Sequence, residues 1–124
     1  MSIVKNKYRG TKAYAQVYSE LITAARYRGS ITYQEIAQLI GLPLQGSHMG
    51  REIGQILGEI SEDELSNGRP MLSAIAVNVE GLPGPGFFSL AKELEKLTLD
   101  EDEQHFWQKE RLAVYNAWKV NLKS

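Results

Sequence analysis

Ile31-Thr32-Tyr33-Gln34-Glu35-Ile36-Ala37-Gln38-Leu39-Ile40-Gly41-Leu42-Pro43 is the stretch on which the fold turns, and Met49-Gly50-Arg51-Glu52-Ile53-Gly54 completes it after a short break. Thr32-x-x-Glu35 has the form of a capping box: the Thr hydroxyl accepts from the Glu35 amide while the Glu carboxylate reaches back to the cap. The helix it opens is short, because Gly41 suits a left-handed stop and Pro43 cannot continue it. Ser47 is the expected cap of a longer second helix, whose Met49, Ile53, Ile56, Leu57 and Ile60 fall on one apolar face. A tyrosine thus opens the first helix, and an arginine stands in the first turn of the second. Two such helices across a tight turn have the outline of a helix-turn-helix.

Outward from this pair, Thr11 is placed to cap a first helix running to about Arg28. Its Tyr14, Val17, Tyr18, Leu21, Ile22 and Ala25 recur at helical spacing, and Gly29 ends it. On the other side, Ser66-Asn67-Gly68-Arg69-Pro70 is a turn, and the apolar run Met71 to Val79 reads as a buried strand. Gly81-Leu82-Pro83-Gly84-Pro85-Gly86 is a loop with two stiff positions, after which Phe87 to Lys96 resumes a helix. Thr98-x-x-Glu101 has the form of a second capping box, so residues 98–121 are expected as a C-terminal helix that packs through Phe106, Trp107, Val114 and Trp118. The acidic run from Asp100 to Glu103 suits the first turn of that helix through the helix dipole. The expected fold is mainly α with a small β element, winged-helix-like, a helix-turn-helix plus wing with flanking N-terminal and C-terminal helices. Residues 1–124 form one domain, with 1–10 as a basic arm.

The bulk composition supports this and removes several chemistries. The chain has 124 residues, 43% hydrophobic and 23% charged, which suits one ordinary globular domain. No apolar run approaches the roughly 18 residues of a membrane span, and the N-terminus lacks the apolar core of a signal peptide, so the expected address is cytoplasmic. The absence of Cys excludes disulfides, thiolate catalysis and Cys-based metal sites. His48 and His105 alone remain as imidazole ligands, so neither a metal nor another cofactor is expected. The net charge of −1 conceals an asymmetry. Residues 1 to 34 carry six cations against Glu20, a balance of +5, which leaves −6 for the remainder. A basic N-terminal third reads either as a source of phosphate contacts or as a solvated arm.

Residues 30 to 72 resemble the DNA-binding half of the alkylguanine-DNA alkyltransferases and their non-enzymatic alkyltransferase-like relatives. The residues that carry the likeness are Thr32-Tyr33-Gln34-Glu35, Leu39-Ile40-Gly41-Leu42-Pro43 and Arg51-Glu52-Ile53-Gly54. The resemblance implies that Tyr33 presses on a phosphate beside the target nucleotide and that Arg51 fills the space left by a flipped base. The family's Pro-Cys-His-Arg segment falls on Leu72-Ser73-Ala74-Ile75-Ala76-Val77, where neither the nucleophilic Cys nor the Trp of common non-enzymatic relatives is present. Alkyl transfer is therefore excluded. The family's hinge Asn corresponds to Asn67, about seven residues late, and the Pro-Gly-Pro-Gly-Phe loop has no counterpart there.

Gly50, Gly54 and Gly58 recur every four residues and make a smooth stripe on the second helix. A minor groove about 6 Å wide admits such a face, and so does a closely packed neighbouring helix. Glu52, Glu59, Glu62 and Asp63 on the same helix would repel phosphates if they faced the DNA backbone. Gly81 to Gly86 reads as tight-turn architecture, since its prolines remove amide donors and no P-loop Lys-Ser/Thr follows. The functional expectation is a non-catalytic DNA-binding module, damage-sensing or regulatory, on double-stranded DNA. Its contact residues are Tyr33, Ser47, His48, Arg51 and Gln55, with Lys5, Lys7 and Arg9 from the arm; no catalytic residue is assigned. The alternatives are a protein-interaction or oligomerisation module on the same scaffold, with a protein partner or a homo-oligomer, and a small enzyme using Glu and His residues.

Overall fold

A computed structural model describes residues 3–43 and 46–119. The first helix, α1 (Lys12–Arg26), begins where Thr11 accepts from the Tyr14 amide at 3.2 Å. It buries Val17, Leu21 and Ala25. Its end is a Schellman motif, with the Arg28 amide donating to Ala25 O at 3.1 Å and the Gly29 amide to Ala24 O at 2.8 Å. The left-handed residue is Arg28 (φ 57°), so Gly29, the expected stop, follows the turn and does not make it.

Thr32 has two tasks. With Ile31 it forms β1 (Ile31–Thr32), and its hydroxyl accepts from the Glu35 amide at 3.1 Å to cap α2 (Tyr33–Leu39). The Thr32 amide donates to Glu35 Oε1 at 2.8 Å, completing the capping box. The chain then turns at Gly41 (φ 75°), and the Leu42 amide closes the helix on Ala37 O.

The long helix α3 (Ser47–Ser66) spans 20 residues. Gly46 (φ 96°) is its cap residue and offers no side chain, so the expected capping role of Ser47 is corrected: Ser47 is the first helical residue. Ile53, Ile56, Leu57 and Ile60 are buried as the periodicity requires, with Met49 packed against the core edge. Asn67 Nδ2 caps the far end on Asp63 O at 2.8 Å.

The run from Met71 to Val79 departs from the strand read in the sequence. Leu72–Ile75 is a 3₁₀ turn, and only β2 (Ala76–Val77) is extended, pairing in parallel with β1 in the register Ile31↔Ala76 and Thr32↔Val77. Residues 71–77 are all buried, so their apolar character reports burial, which strand and turn satisfy equally. Their polar groups are met by side chains. The Met71 amide donates to Glu110 Oε2 at 2.8 Å, the Ser73 amide to Ser61 Oγ at 3.2 Å, and Trp107 Nε1 donates to Ala74 O at 2.9 Å. β1 turns into a helix cap after two residues, so a longer strand would have no partner beyond Val77.

Pro85 sits in the first turn of α4 (Pro85–Glu93), two residues earlier than the Phe87 start expected. The C-terminal helix is α5 (Glu103–Trp118), shorter than the expected 98–121. Thr98 and Glu101 do bond, through the Thr98 amide at 2.8 Å, but they close a turn, and Asp102 caps the helix on the His105 amide at 3.0 Å. Residues 120 and 121 lie outside the described residues, as do residues 1 and 2 of the arm. Phe106, Trp107 and Val114 are buried on the core side of α5 as expected, joined by Glu110 and Tyr115.

The architecture is therefore mainly helical with a small two-stranded parallel sheet. Helices α1, α3 and α5 pack around the 71–77 segment, with Leu21, Ile56, Ile60, Met71, Leu72, Ile75 and Val114 at the centre. Among the described residues no antiparallel hairpin forms a wing, since the loop 81–84 leads directly into α4. No described helix is long and apolar enough to cross a membrane.

Candidate functional site

A cleft of about 300 Å³ opens between α2, α3 and α4. From α3 it takes Met49, Gly50, Ile53, Gly54 and Leu57, one face of the first three turns. From the loop and α4 come Gly84, Pro85, Gly86, Phe87 and Leu90, and from the remaining elements Tyr33 and Ser73. A Cβ built on Gly50 or Gly54 would meet no other atom within 4 Å, so these glycines form an open wall. Gly58 behaves differently. Its Cβ would stand 3.4 Å from Val4 and 3.6 Å from Leu90, so the third glycine of the stripe admits the arm and α4. The stripe is thus open surface at its start, and the close packing read from the sequence is found only at Gly58.

Tyr33 is half-buried beside the cleft. Its hydroxyl accepts from the Gly84 amide at 2.8 Å, which fixes the loop against α2. Burial pushes the phenol pKa up, opposed by that amide. Tyr33 is therefore a neutral group built into a wall.

The basic arm is bound to α3 throughout its described length. Lys7 pairs with Glu52 at 2.6 Å, and Arg9 pairs with Glu62 at 2.7 Å and Asp63 at 3.0 Å. Tyr8 Oη also donates to Glu52, and Tyr14 Oη to Asp63. Glu59 is fully buried and accepts from the amides of Lys7, Tyr8 and Arg9 at 3.2, 3.0 and 2.8 Å. Gln55 Nε2 adds a fourth donor to Glu59 at 2.8 Å and also donates to Lys5 O at 2.6 Å. The Lys7 ammonium, then the Tyr8 hydroxyl, hold the Glu52 carboxyl below its usual range. Burial, and the Glu52 carboxylate beside it, push Tyr8 up to about 12. The α3 acids that the sequence sets against a phosphate backbone are thereby occupied within the molecule.

The eight sequence-assigned contact residues therefore separate into groups. Ser47, His48 and Arg51 are exposed together at the start of α3, next to Met49 and Gly50 of the cleft wall. Tyr33 lies on the cleft itself. Lys7, Arg9 and Gln55 are engaged with α3 carboxylates, and Lys5, with an exposed side chain, is held through its backbone carbonyl.

No known family, characterised protein or solved structure matches this chain. The likeness to the alkyltransferases rests on residues 30 to 72 alone.

Sequence reasoning did not single out Ser61, Glu64 or Glu110 as buried polar groups. Glu64 takes a two-point contact from Arg69, at 3.0 and 2.9 Å, and accepts from Tyr18 Oη. That group has a structural task, tying α1 to the turn after α3. Ser73 was visible as the one hydroxyl in an apolar run, and it lines the cleft.

Proposed function

We propose that the protein is a non-catalytic DNA-binding module of the alkyltransferase-like type, with the α2–α3 pair serving as a helix-turn-helix-like reader of duplex DNA. One observation carries this reading: Arg51 is exposed immediately beside Gly50, which lines the same cleft as Tyr33. An arginine entering the duplex from the start of α3 would fill the place of a displaced base, and the cleft next to it would receive that base. The N-terminal turn of α3 adds backbone donors that the cap residue, Gly46, has no side chain to satisfy. Alkyl transfer has no thiol to receive the group.

The test is a titration of labelled duplexes, with and without an alkylated guanine, at two salt concentrations. Arg51→Ala is expected to weaken binding without changing thermal stability, and more than Lys109→Ala on α5. Undetectable wild-type binding at low salt, or superposable curves for wild type and Arg51→Ala, would refute the reading. A protein-interaction module is the second reading, favoured by the engagement of Lys7 and Arg9 with α3, which removes cations from phosphate contact. Salt separates the two, because phosphate binding weakens steeply with salt and an apolar protein interface does not.

A further inference from the structure

The cleft carries two hydroxyls on an otherwise apolar wall, and both have a proton left to donate. Tyr33 Oη accepts the Gly84 amide, and no described residue accepts from it in turn. Ser73 is 3% exposed and lines the cleft, while its partner Ser61 is fully buried behind that wall. Ser61 Oγ accepts from the Ser73 amide at 3.2 Å and lies 2.8 Å from Ser73 Oγ. A hydroxyl has a single proton. Were Ser73 to donate to Ser61, the Ser61 proton would be buried with no acceptor among the described residues. With Ser61 donating to Ser73, Ser61 is satisfied and the Ser73 proton is free for the cleft. Among the described residues no charged side chain lines the space, so an ion entering it would lose its hydration without compensation. Gly50 and Gly54 of α3 and Gly86 of α4, where an added Cβ would meet nothing within 4 Å, leave room for a flat body, while Gly84 is packed against the Tyr33 ring.

From this geometry we infer that the cleft binds an uncharged planar ring bearing a hydrogen-bond acceptor, which the Ser73 hydroxyl donates to and which Ser61 selects by turning that proton toward the ligand. Ser61 is a positioning residue, because it never touches the ring. Tyr33 Oη is a second donor, for a ring that bears a second acceptor. Such a ring arrives either as a free small molecule or as a base swung out of a duplex. Only the second source rests on the DNA-binding reading above.

Three free probes address the chemistry: N-methyl-2-pyridone, which has an acceptor; toluene, which has none; and benzoate, which is charged. Binding is followed through the backbone amide shifts of Gly50, Gly54, Gly84 and Gly86. The pyridone is expected to bind about tenfold tighter than toluene, the effect of one hydrogen bond, and benzoate not at all. Ser73→Ala is expected to bring the pyridone down to the level of toluene, and Ser61→Ala to lower it part of the way, since Ser73 keeps its proton but loses the bond that orients it. Toluene binding, unchanged in both, reports an intact cleft. Gly54→Met is expected to close the cleft to both, since its side chain extends into open space. A duplex with 2-aminopurine opposite a mismatch tests the other source. Its fluorescence is expected to rise with wild type and not with Gly54→Met. Selective binding of the free ring with no fluorescence change supports the cleft chemistry and removes the DNA reading. A pyridone-to-toluene ratio unaltered by the serine variants, benzoate binding as tightly as the pyridone, failure of all three probes, or a fluorescence rise that survives Gly54→Met overturns the inference.

Discussion

Replacing Glu59 by Gln keeps the shape of the side chain and reverses the polarity of half of it. Glu59 receives four donors, the amides of Lys7, Tyr8 and Arg9 and the Gln55 side chain, all at 2.8–3.2 Å and out of contact with water. A glutamine keeps one acceptor oxygen and turns an NH₂ group toward the remaining donors, so at least two charge-assisted bonds are lost. At about 1.5–3 kcal/mol for each hydrogen bond to a charged group, a docked arm would lose about 3–6 kcal/mol. The arm has an escape, because residues 3–9 can leave α3 and hydrate. The loss actually measured is then limited to the free energy that held the arm, and we expect about 3 kcal/mol with the arm released. Urea unfolding gives the stability change, and the rate of tryptic cleavage after Lys7 and Arg9 reports the arm. In a variant that begins at Gly10 the same substitution should cost less than about 0.5 kcal/mol, as for an ordinary surface position. A Glu59→Gln protein with an unchanged urea midpoint and unchanged cleavage at Arg9 would refute the reasoning, as would an equal loss in the truncated chain.

Glu95 ends α4 in the left-handed region (φ 62°), with the Lys96 amide on Ala91 O at 2.8 Å, so Glu95→Gly should stabilise by about 1 kcal/mol in urea denaturation. Trp107 is buried and donates to Ala74 O, so Trp107→Ala should cost about 3–5 kcal/mol by the same measurement. At high pH the raised pKa of Tyr8 means that its contribution is intact below its unfolded value near 10 and is lost as pH rises through about 12; tyrosinate absorbance should lag accordingly and rise together with unfolding. At low pH the sign reverses for Glu52, whose depressed pKa gives a contribution present above the ordinary carboxylate range and lost as pH falls below it, a loss that Lys7→Ala should diminish in an acid titration of stability.

What the sequence disclosed was local. The stripe of α1, the capping box at Thr32 and Glu35 and the apolar face of α3 depend on spacing within one helix, and each is present in the structure. Thr98-x-x-Glu101 has the same spelling and makes a turn, because Asp102 follows at once as a cap of its own. Residues 71–77 misled for a different reason: burial on every side gives an apolar run whatever the backbone does, and the side chains that satisfy that backbone come from positions 61, 107 and 110. Glu59 reads as a solvated acid on a helix until the arm, some fifty residues earlier, is laid across it. The site was legible in part for the same reason. Tyr33 and Arg51 stand in a recognisable local pattern, whereas the cleft is a meeting of four separated segments and Ser61 lies behind it.

Thr32 pairs with Val77 as a strand residue and caps α2 as a helix residue, and the next side chain, Tyr33, holds the Gly84 amide. A sheet of two residues per strand has little persistence of its own. Parting it therefore releases the start of α2, the tyrosine ring and the loop in one event, so the rim of the cleft opens as a cooperative unit. Native-state hydrogen exchange would record this as a single opening free energy shared by the amides of Glu35 and Gly84, and whatever occupies the cleft would raise both together.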